Sequence, residues 1–488
     1  MSSNPEPDVK KITTTTSSET TPDIAVGYQA SLPSQPHLQP WKSSTLFRSV
    51  LFQMVLFGAL SFVGPAMGDA ITNLGGGGLA SPYLANLANS LNYTTGCLTT
   101  LLGGPLINKL GIKWSCVIAA CVFPLTGSAY YVSAKYDIGS YLLASQVIGG
   151  IGSGFLYVAE TTAMLSYPPP DDRGFYLGVW SAMRNSGSVI GGAINFSTNS
   201  EKSSAGGIAW STYLIFVGFE CTGLVWALLL SPTSRVRRRN GDGVPMSGKA
   251  TWKEEFVALG KVMMQKKTWL IFLPAFYSFF YGGTMGTYLS LHFSVRSRAL
   301  SSLLVPTIVI PMVIAYGRLL DMKRWSRGKR AWIAFLVWLI PQICGFIWIG
   351  IEYSKYGQAT KAFDYGTNTR QWAEAYLPYL IIFTAGYWCQ LSIYWMLGCL
   401  STDVQSSARV GGLFRAFETA GQAISYGINS ASKSDRRIPF YVNCGALGLA
   451  IPCVIMLIRM VAESTGEETV NVEERVEGDQ SLDQKRVV

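Results

Sequence analysis

Charge is scarce in this sequence. Of 488 residues, 14% are Asp, Glu, Lys or Arg, against about 25% in soluble domains. Histidine is nearly absent, with only His37 and His292, and no CxxC motif joins the nine cysteines. Cys97, Cys116, Cys121, Cys221, Cys344, Cys389, Cys399, Cys444 and Cys453 lie mostly within apolar stretches. They read as small hydrophobes rather than as metal ligands or a disulfide framework. No catalytic triad, paired acids or metal cluster has convincing spacing, so no enzyme, cofactor or metal is expected. No cleavable signal opens the chain. Residues 1–45 are polar and rich in Ser, Thr and Pro, and the first apolar run is expected to act as an uncleaved anchor. The net charge of +10 does not imply nucleic acid, because the basic residues fall in short clusters between apolar runs.

What the chain has is length in its apolar runs. It is 49% hydrophobic, with 50 Gly, 14 Trp and 24 Tyr; glycine and interfacial aromatics are favoured in membrane helices. A bilayer core needs roughly 20 apolar residues per helix. Twelve runs qualify, near 50–72, 84–107, 114–134, 139–166, 174–197, 207–231, 268–291, 299–320, 331–352, 376–400, 409–429 and 438–460. Pro306 and Pro311 imply a kink in the eighth. The expected fold is an all-α polytopic membrane protein of about twelve helices in two pseudo-symmetric six-helix bundles. Its parts are a disordered tail (1–45), a first bundle (46–231), a linker (232–266), a second bundle (267–462) and an acidic, solvated tail (463–488).

Orientation follows from Lys and Arg near helix ends. Lys42 and Arg48 precede the first run, Lys109 and Lys113 follow the second, nine bases from Arg235 to Lys267 follow the sixth, and Lys323, Arg324, Arg327, Lys329 and Arg330 follow the eighth. All fall on one side of a twelve-helix chain, which places both termini in the cytoplasm. Arg296, Arg298 and the Lys433–Arg437 segment are exceptions on the far side.

The two halves carry matching residues. Gly64-Pro65-Ala66-Met67-Gly68 in helix 1 parallels Gly282-Gly283-Thr284-Met285-Gly286 in helix 7. Gly178, Ala182, Arg184, Gly187 and Ile190 in helix 5 share their spacing with Gly412, Ala416, Glu418, Gly421 and Ile424 in helix 11. Gly104 then Asn108-Lys109 after helix 2 parallels Gly317 then Asp321 after helix 8. Internal repeats of this kind are a transporter signature.

The run Gly104-Pro105-Leu106-Ile107-Asn108-Lys109-Leu110-Gly111-Ile112-Lys113 resembles the cytoplasmic signature of the major facilitator superfamily. There a Gly permits a tight turn, and acid and bases latch neighbouring helix ends, partly through the helix dipole. Asn108 occupies the acidic position, which weakens a charged latch; Asp321 keeps the acid in the second half. The alternative is a basic loop with no gating role. The Asn-Lys-Leu-Gly-x-Lys form is similar to the Unc-93-like family of that superfamily, in particular its fungal members. Gly149–Gly154, Tyr157-Val158-Ala159-Glu160, Tyr167-Pro168, Arg173–Gly178, Arg184–Ser188 and Gly191-Gly192 agree with it. The resemblance covers about residues 45–460 and is strongest through 100–195.

It implies a secondary active transporter of a small organic solute or ion, with the bilayer and that substrate as its partners, in the plasma membrane or an endomembrane. Proton coupling and export of a fungal secondary metabolite fit the family. Some Unc-93-like proteins instead act as trafficking chaperones or channel regulators, for which a membrane-protein partner replaces the substrate.

Ionisable groups inside membrane spans are functional candidates by default: Asp69, Glu160, Arg184, Glu220, Arg415 and Glu418. By the superfamily's fold, Asp69 and Glu160 face the pathway. The plainer readings are a helix-end group for Asp69, an ion pair with Arg184 or another base for Glu160, and packing for Glu220. Arg184 and Glu418, at matching positions, either meet across the cavity or each neutralise a neighbour, Arg415 for Glu418. Aromatics of helix 7 (Phe276 to Tyr288) and helix 10 (Tyr376 to Trp395) supply either a stacking surface or packing. Gly149–Gly154 follows no strand and reads as helix packing, not a nucleotide loop. Asn92-Tyr93-Thr94 is a glycosylation acceptor, usable if it clears the membrane; Asn195-Phe196-Ser197 lies too close to the bilayer.

Overall fold

The computed structural model describes residues 46–486 apart from 80, 170–171, 202, 205, 247–249, 357–361, 400–403 and 432–436, with side chains described to 463. The tail 1–45 and most of the Lys433–Arg437 segment lie outside the described residues.

In hydrocarbon every backbone N–H and C=O must be bonded within the chain, so apolar runs of this length become helices. Twelve spans form. Span 1 is α1 (Val50–Val63) and α2 (Pro65–Thr72), bent by 44° at Gly64. Span 2 is α3 (Pro82–Leu101) and α4 (Gly103–Leu110); spans 3, 4 and 5 are α5 (Ile112–Tyr136), α6 (Gly139–Ser166) and α7 (Arg173–Asn199). Span 6 is α8 (Trp210–Cys221) and α9 (Gly223–Leu229). A further helix, α10 (Trp252–Met263), separates the halves. Span 7 is α11 (Lys266–Ser278) and α12 (Tyr281–His292); spans 8 to 12 are α13 (Val295–Leu320), α14 (Arg327–Tyr356), α15 (Thr369–Cys399), α16 (Val404–Asn429) and α17 (Arg437–Arg486).

Among the described residues, six of these helices, the pair α8–α9 and the bent pair of span 1 are long and apolar enough to cross a bilayer. The rest, notably α7 and α16, are more polar because they line the interior between the halves rather than face lipid. The most extensive packing between the halves is α7 on α13 and α3 on α16, the same contact made twice. Glycines make the approach possible. A side chain at Gly317 would strike the Gly174 carbonyl of α7, and one at Gly104 would strike the Arg409 backbone of α16. Gly187 of α7 likewise fits against Phe62 of span 1, as Gly421 of α16 fits against Phe276 of span 7. The repeat seen in the sequence is therefore a repeat of helix contacts. The break at Gly64 in span 1 has its counterpart at Phe279–Phe280 in span 7.

One expectation is corrected and two are extended. The segment 232–266 is more than a linker. It holds α10, started by a capping box in which Thr251 Oγ1 accepts from Glu254 N (3.3 Å) and Glu254 Oε2 accepts from Thr251 N (2.6 Å). The stretch 463–486, read as a solvated tail, continues α17 as helical backbone. Pro306 and Pro311 both lie inside α13, one helix from Val295 to Leu320.

Candidate functional site

Between the halves, at mid-bundle, lies a cavity of about 60 Å³ lined from both sides. Asp69, Tyr93, Tyr157 and Arg184 come from the first bundle; Phe279, Tyr281, Tyr387, Gln390, Glu418 and Gln422 come from the second. The bend at Gly64 carries α2 so that Asp69 points at α7, where Arg184 Nη2 and Nε donate to its Oδ2 at 2.8 and 3.0 Å. Glu418 is paired three residues along its own helix: Arg415 Nη1 donates to its Oε1 at 2.5 Å and Gln390 Nε2 to its Oε2 at 3.0 Å. The Arg415 guanidinium also donates to Thr161 (3.1 Å) and lies over the rings of Tyr157 (4.8 Å) and Tyr394 (5.3 Å).

Arg184 and Glu418 thus share a cavity but do not pair. Each is neutralised by another residue, Arg184 from span 1 and Glu418 within span 11. Glu160 is fully buried, accepts a hydrogen bond from Ser61 and makes no ion pair among the described residues. No described base pairs with it directly, contrary to the reading that pairs it with Arg184, although the charges of Arg184 and Arg415 reach it through the interior. The aromatic set divides. Phe279, Tyr281, Phe383 and Tyr387 line the cavity, whereas Tyr376 stacks on Trp372 (5.0 Å) and Trp388 on Tyr316 (5.7 Å) as packing.

Contacts between the halves hold the interface at both ends. At the basic end, the Asp321 carboxylate caps α7, accepting from Gly174 N (2.9 Å) and Phe175 N (2.5 Å); a carboxylate at a helix N-terminus satisfies free N–H groups and the dipole together. The matching position, Asn108, has no acid, and Glu255 of α10 supplies one. Its Oε2 accepts from Asn108 Nδ2 (2.9 Å) and from Arg409 Nε and Nη2 of α16 (3.0 and 2.9 Å). Lys109 holds the same segment, donating to the Ala250 carbonyl and lying 5.5 Å over the Trp252 ring. Gly111, at φ +82°, turns the chain from α4 into α5, and Lys113 donates to the Leu228 carbonyl at 2.7 Å.

At the opposite end, Arg298 is buried and grips three carbonyls of the first bundle: Leu74 (2.5 Å), Gly75 (2.7 Å) and Gly206 (3.1 Å). Gly75 to Gly78 all have positive φ, a turn open to few residues other than glycine, and it delivers those carbonyls. Asn86 adds bonds to Thr287 (3.0 Å) and the Asn429 carbonyl (2.9 Å). Arg296 pairs with Asp364 within the second bundle, with Nε–Oδ2 at 2.7 Å. These contacts explain why arginines 296 and 298 break the basic-loop asymmetry.

The geometry around Asn92 does not favour its use as a glycosylation acceptor. The residue lies about 15 Å along α3 from Pro82 at 1.5 Å per residue, and its amide donates to Gln146 Oε1 of α6 at 2.8 Å, inside the bundle. Asn195 is fully buried. Glu255 and Arg409 were not singled out from the sequence, and Arg298 only as an exception to the charge asymmetry; their roles depend on contacts between distant segments.

The sequence profile of the Major Facilitator Superfamily matches residues 49–426. The notoamide biosynthesis cluster protein O' of Aspergillus versicolor is 31% identical over 386 residues, covering 79% of this chain and 84% of that one. UNC93-like protein 1 of Arabidopsis thaliana is 26% identical over 435 residues, 87% and 93% of the two chains. Among solved structures, the proton:xylose symporter XylE bound to 6-bromo-6-deoxy-D-glucose superposes with a TM-score of 0.60 at 14% identity, covering 86% of this chain and 97% of that one; the likeness is one of fold. With the doubled helix contacts and the cavity between the halves, these matches place the chain in the Major Facilitator Superfamily, among its UNC93-like proteins.

Proposed function

We propose that the protein is a secondary active transporter that passes a small organic solute through the central cavity by opening its two ends in turn. The observation that carries this reading is a charged, aromatic cavity between two bundles whose seals at either end are built from separate residues. At about 60 Å³ the cavity is far below the roughly 300–1,000 Å³ of ligand pockets, so a solute enters only when one end parts. The basic end faces the cytoplasm by the positive-inside rule, which puts both termini there, in the plasma membrane or an endomembrane.

Glu160 is the proposed proton carrier, since a buried carboxyl without a base gains most from taking up a proton. The flanking rings suit a partly aromatic solute. Export of a secondary metabolite is the natural direction, given that a relative is named for a biosynthesis cluster. Purified protein in proteoliposomes, challenged with aromatic metabolites under a proton gradient, tests this reading. Flux that Glu160→Gln uncouples from the gradient supports it. No flux, with a membrane-protein partner co-purifying instead, favours the chaperone or channel-regulator reading.

A further inference from the structure

A second cavity, of about 100 Å³ and partly open, is lined only by the first bundle, walled by spans 1, 2, 3, 4 and 6. Its lining is rich in oxygen: Glu220 of α8, Asn89 and Asn92 of α3, Thr126 and Tyr130 of α5, and Gln146 of α6. Glu220 is 4% exposed and no described residue donates a hydrogen bond to it; its Oε2 is buried without a partner. The bundle makes room for this unpaired carboxylate. A side chain at Gly127 on the facing helix would occupy the carboxylate's place.

The neighbouring polar groups are oriented by one another. Asn92 spends its amide on Gln146, Tyr130 donates to Asn89 Oδ1 at 3.2 Å, and the Thr126 hydroxyl donates to the Phe123 carbonyl at 2.8 Å. With those donors committed, the carbonyl oxygen of Asn92 and the lone pairs of Thr126 and Tyr130 remain as acceptors. The other acid in the wall, Asp69, is already neutralised by Arg184. With Glu220 ionised, the cavity carries one negative charge beside several neutral oxygens, and a bound cation is what would hold the carboxyl in that form. A divalent ion would leave a net positive charge in a low-dielectric interior; a monovalent ion balances it.

We infer that this cavity binds a monovalent alkali cation, sodium or potassium, with Glu220 as its anionic ligand. The site is distinct from the central cavity but shares Asp69, Thr72, Tyr93 and Tyr157 with it. Occupancy can thereby reach the Asp69–Arg184 pair through shared walls. It does not depend on what solute, if any, crosses the interface.

The test is thermal unfolding of the purified full chain in detergent, with choline chloride replaced at constant ionic strength and fixed pH by sodium or potassium chloride. A saturable rise in Tm with one or both alkali ions is expected, together with retention of radioactive sodium or rubidium. Glu220→Gln abolishes both effects. Asn92→Ala and Gln146→Ala, which keep the carboxylate, raise the midpoint about tenfold for one impaired ligand, and they carry the test if the Glu220 variant does not fold. Identical Tm values in all three salts, or an alkali response that survives Glu220→Gln, overturn the proposal. A Tm that changes with pH and ignores the cation also overturns it, by making Glu220 a proton site.

Discussion

Removing the Glu255 carboxylate should open the basic end of the interface and leave the other end unchanged. Glu255 is 3% exposed at its side chain and is the bridge between Asn108 of α4 and Arg409 of α16. Glu255→Gln keeps the shape and deletes the charge. Leaving one partner of a buried ion pair alone costs about 3–5 kcal/mol. Arg409 is 17% exposed and can recover some hydration, which brings the cost to about 2 kcal/mol, or roughly thirtyfold in an opening equilibrium. Hydrogen–deuterium exchange reads this directly. Amides at 408–412 should exchange about thirtyfold faster, while those at 424–428, toward the other end of α16, hold their rate. Asn108→Asp supplies the sharper contrast. It restores the superfamily's acid, yet here it sets a second carboxylate against Glu255, so it should speed exchange too. Combining it with Glu255→Gln should return the rate towards wild type. Unchanged exchange in Glu255→Gln, equal acceleration at both ends, or a tighter latch in Asn108→Asp alone would refute the reasoning.

Three further outcomes follow from the geometry. Arg298→Lys cannot reproduce the fork on Leu74 and Gly75; it should open the opposite end, measured as faster labelling from outside of a cysteine placed at Ser302. Asp69→Asn strips Arg184 of its partner and should cost about 2–3 kcal/mol in unfolding, less than a fully dry pair because the side chains are 27% and 15% exposed. The exchange Asp69→Arg with Arg184→Asp should recover that loss, whereas exchanging Arg184 with Glu418 should not. In the loop before α15, the hydrogen bonds from Arg296, with Ser294 and Gly366, hold the Asp364 carboxyl down at about 2, from 3.8. Because the folded state prefers the charged form, this contribution is complete above about pH 4 and disappears as the pH falls towards 2. It amounts to about 2 kcal/mol, and melting curves of Asp364→Asn should lack that step.

The spans were legible because each carries its own signal, a run long enough for the bilayer. The repeat was legible because glycine spacing is copied: Gly187 and Gly421 meet equivalent spans in the two halves. Helix α10 was within reach, since Thr251-Trp252-Lys253-Glu254 is a capping-box sequence, but its polar surroundings hid it. The charge pairing was not legible. Spacing put Arg184 and Glu418 in register, but the bend at Gly64 decides that Asp69 reaches Arg184 first. The substitute acid is likewise invisible along the chain, because Glu255 lies 147 residues from Asn108. Asn92 shows the reverse case. Its acceptor motif is local, but the helix that buries it starts at Pro82.

The central claim is that the two ends part alternately. It is tested most directly by spin-label distances in nanodiscs, with one pair at Leu110 and Met322 on the basic end and another at Leu87 and Ile438 on the opposite end, all exposed positions. Two populations are predicted for each pair, with Glu255→Gln shifting the first pair to its longer distance without lengthening the second, and Arg298→Lys doing the reverse. Single, fixed distances at both ends, or distances that lengthen together, would contradict it.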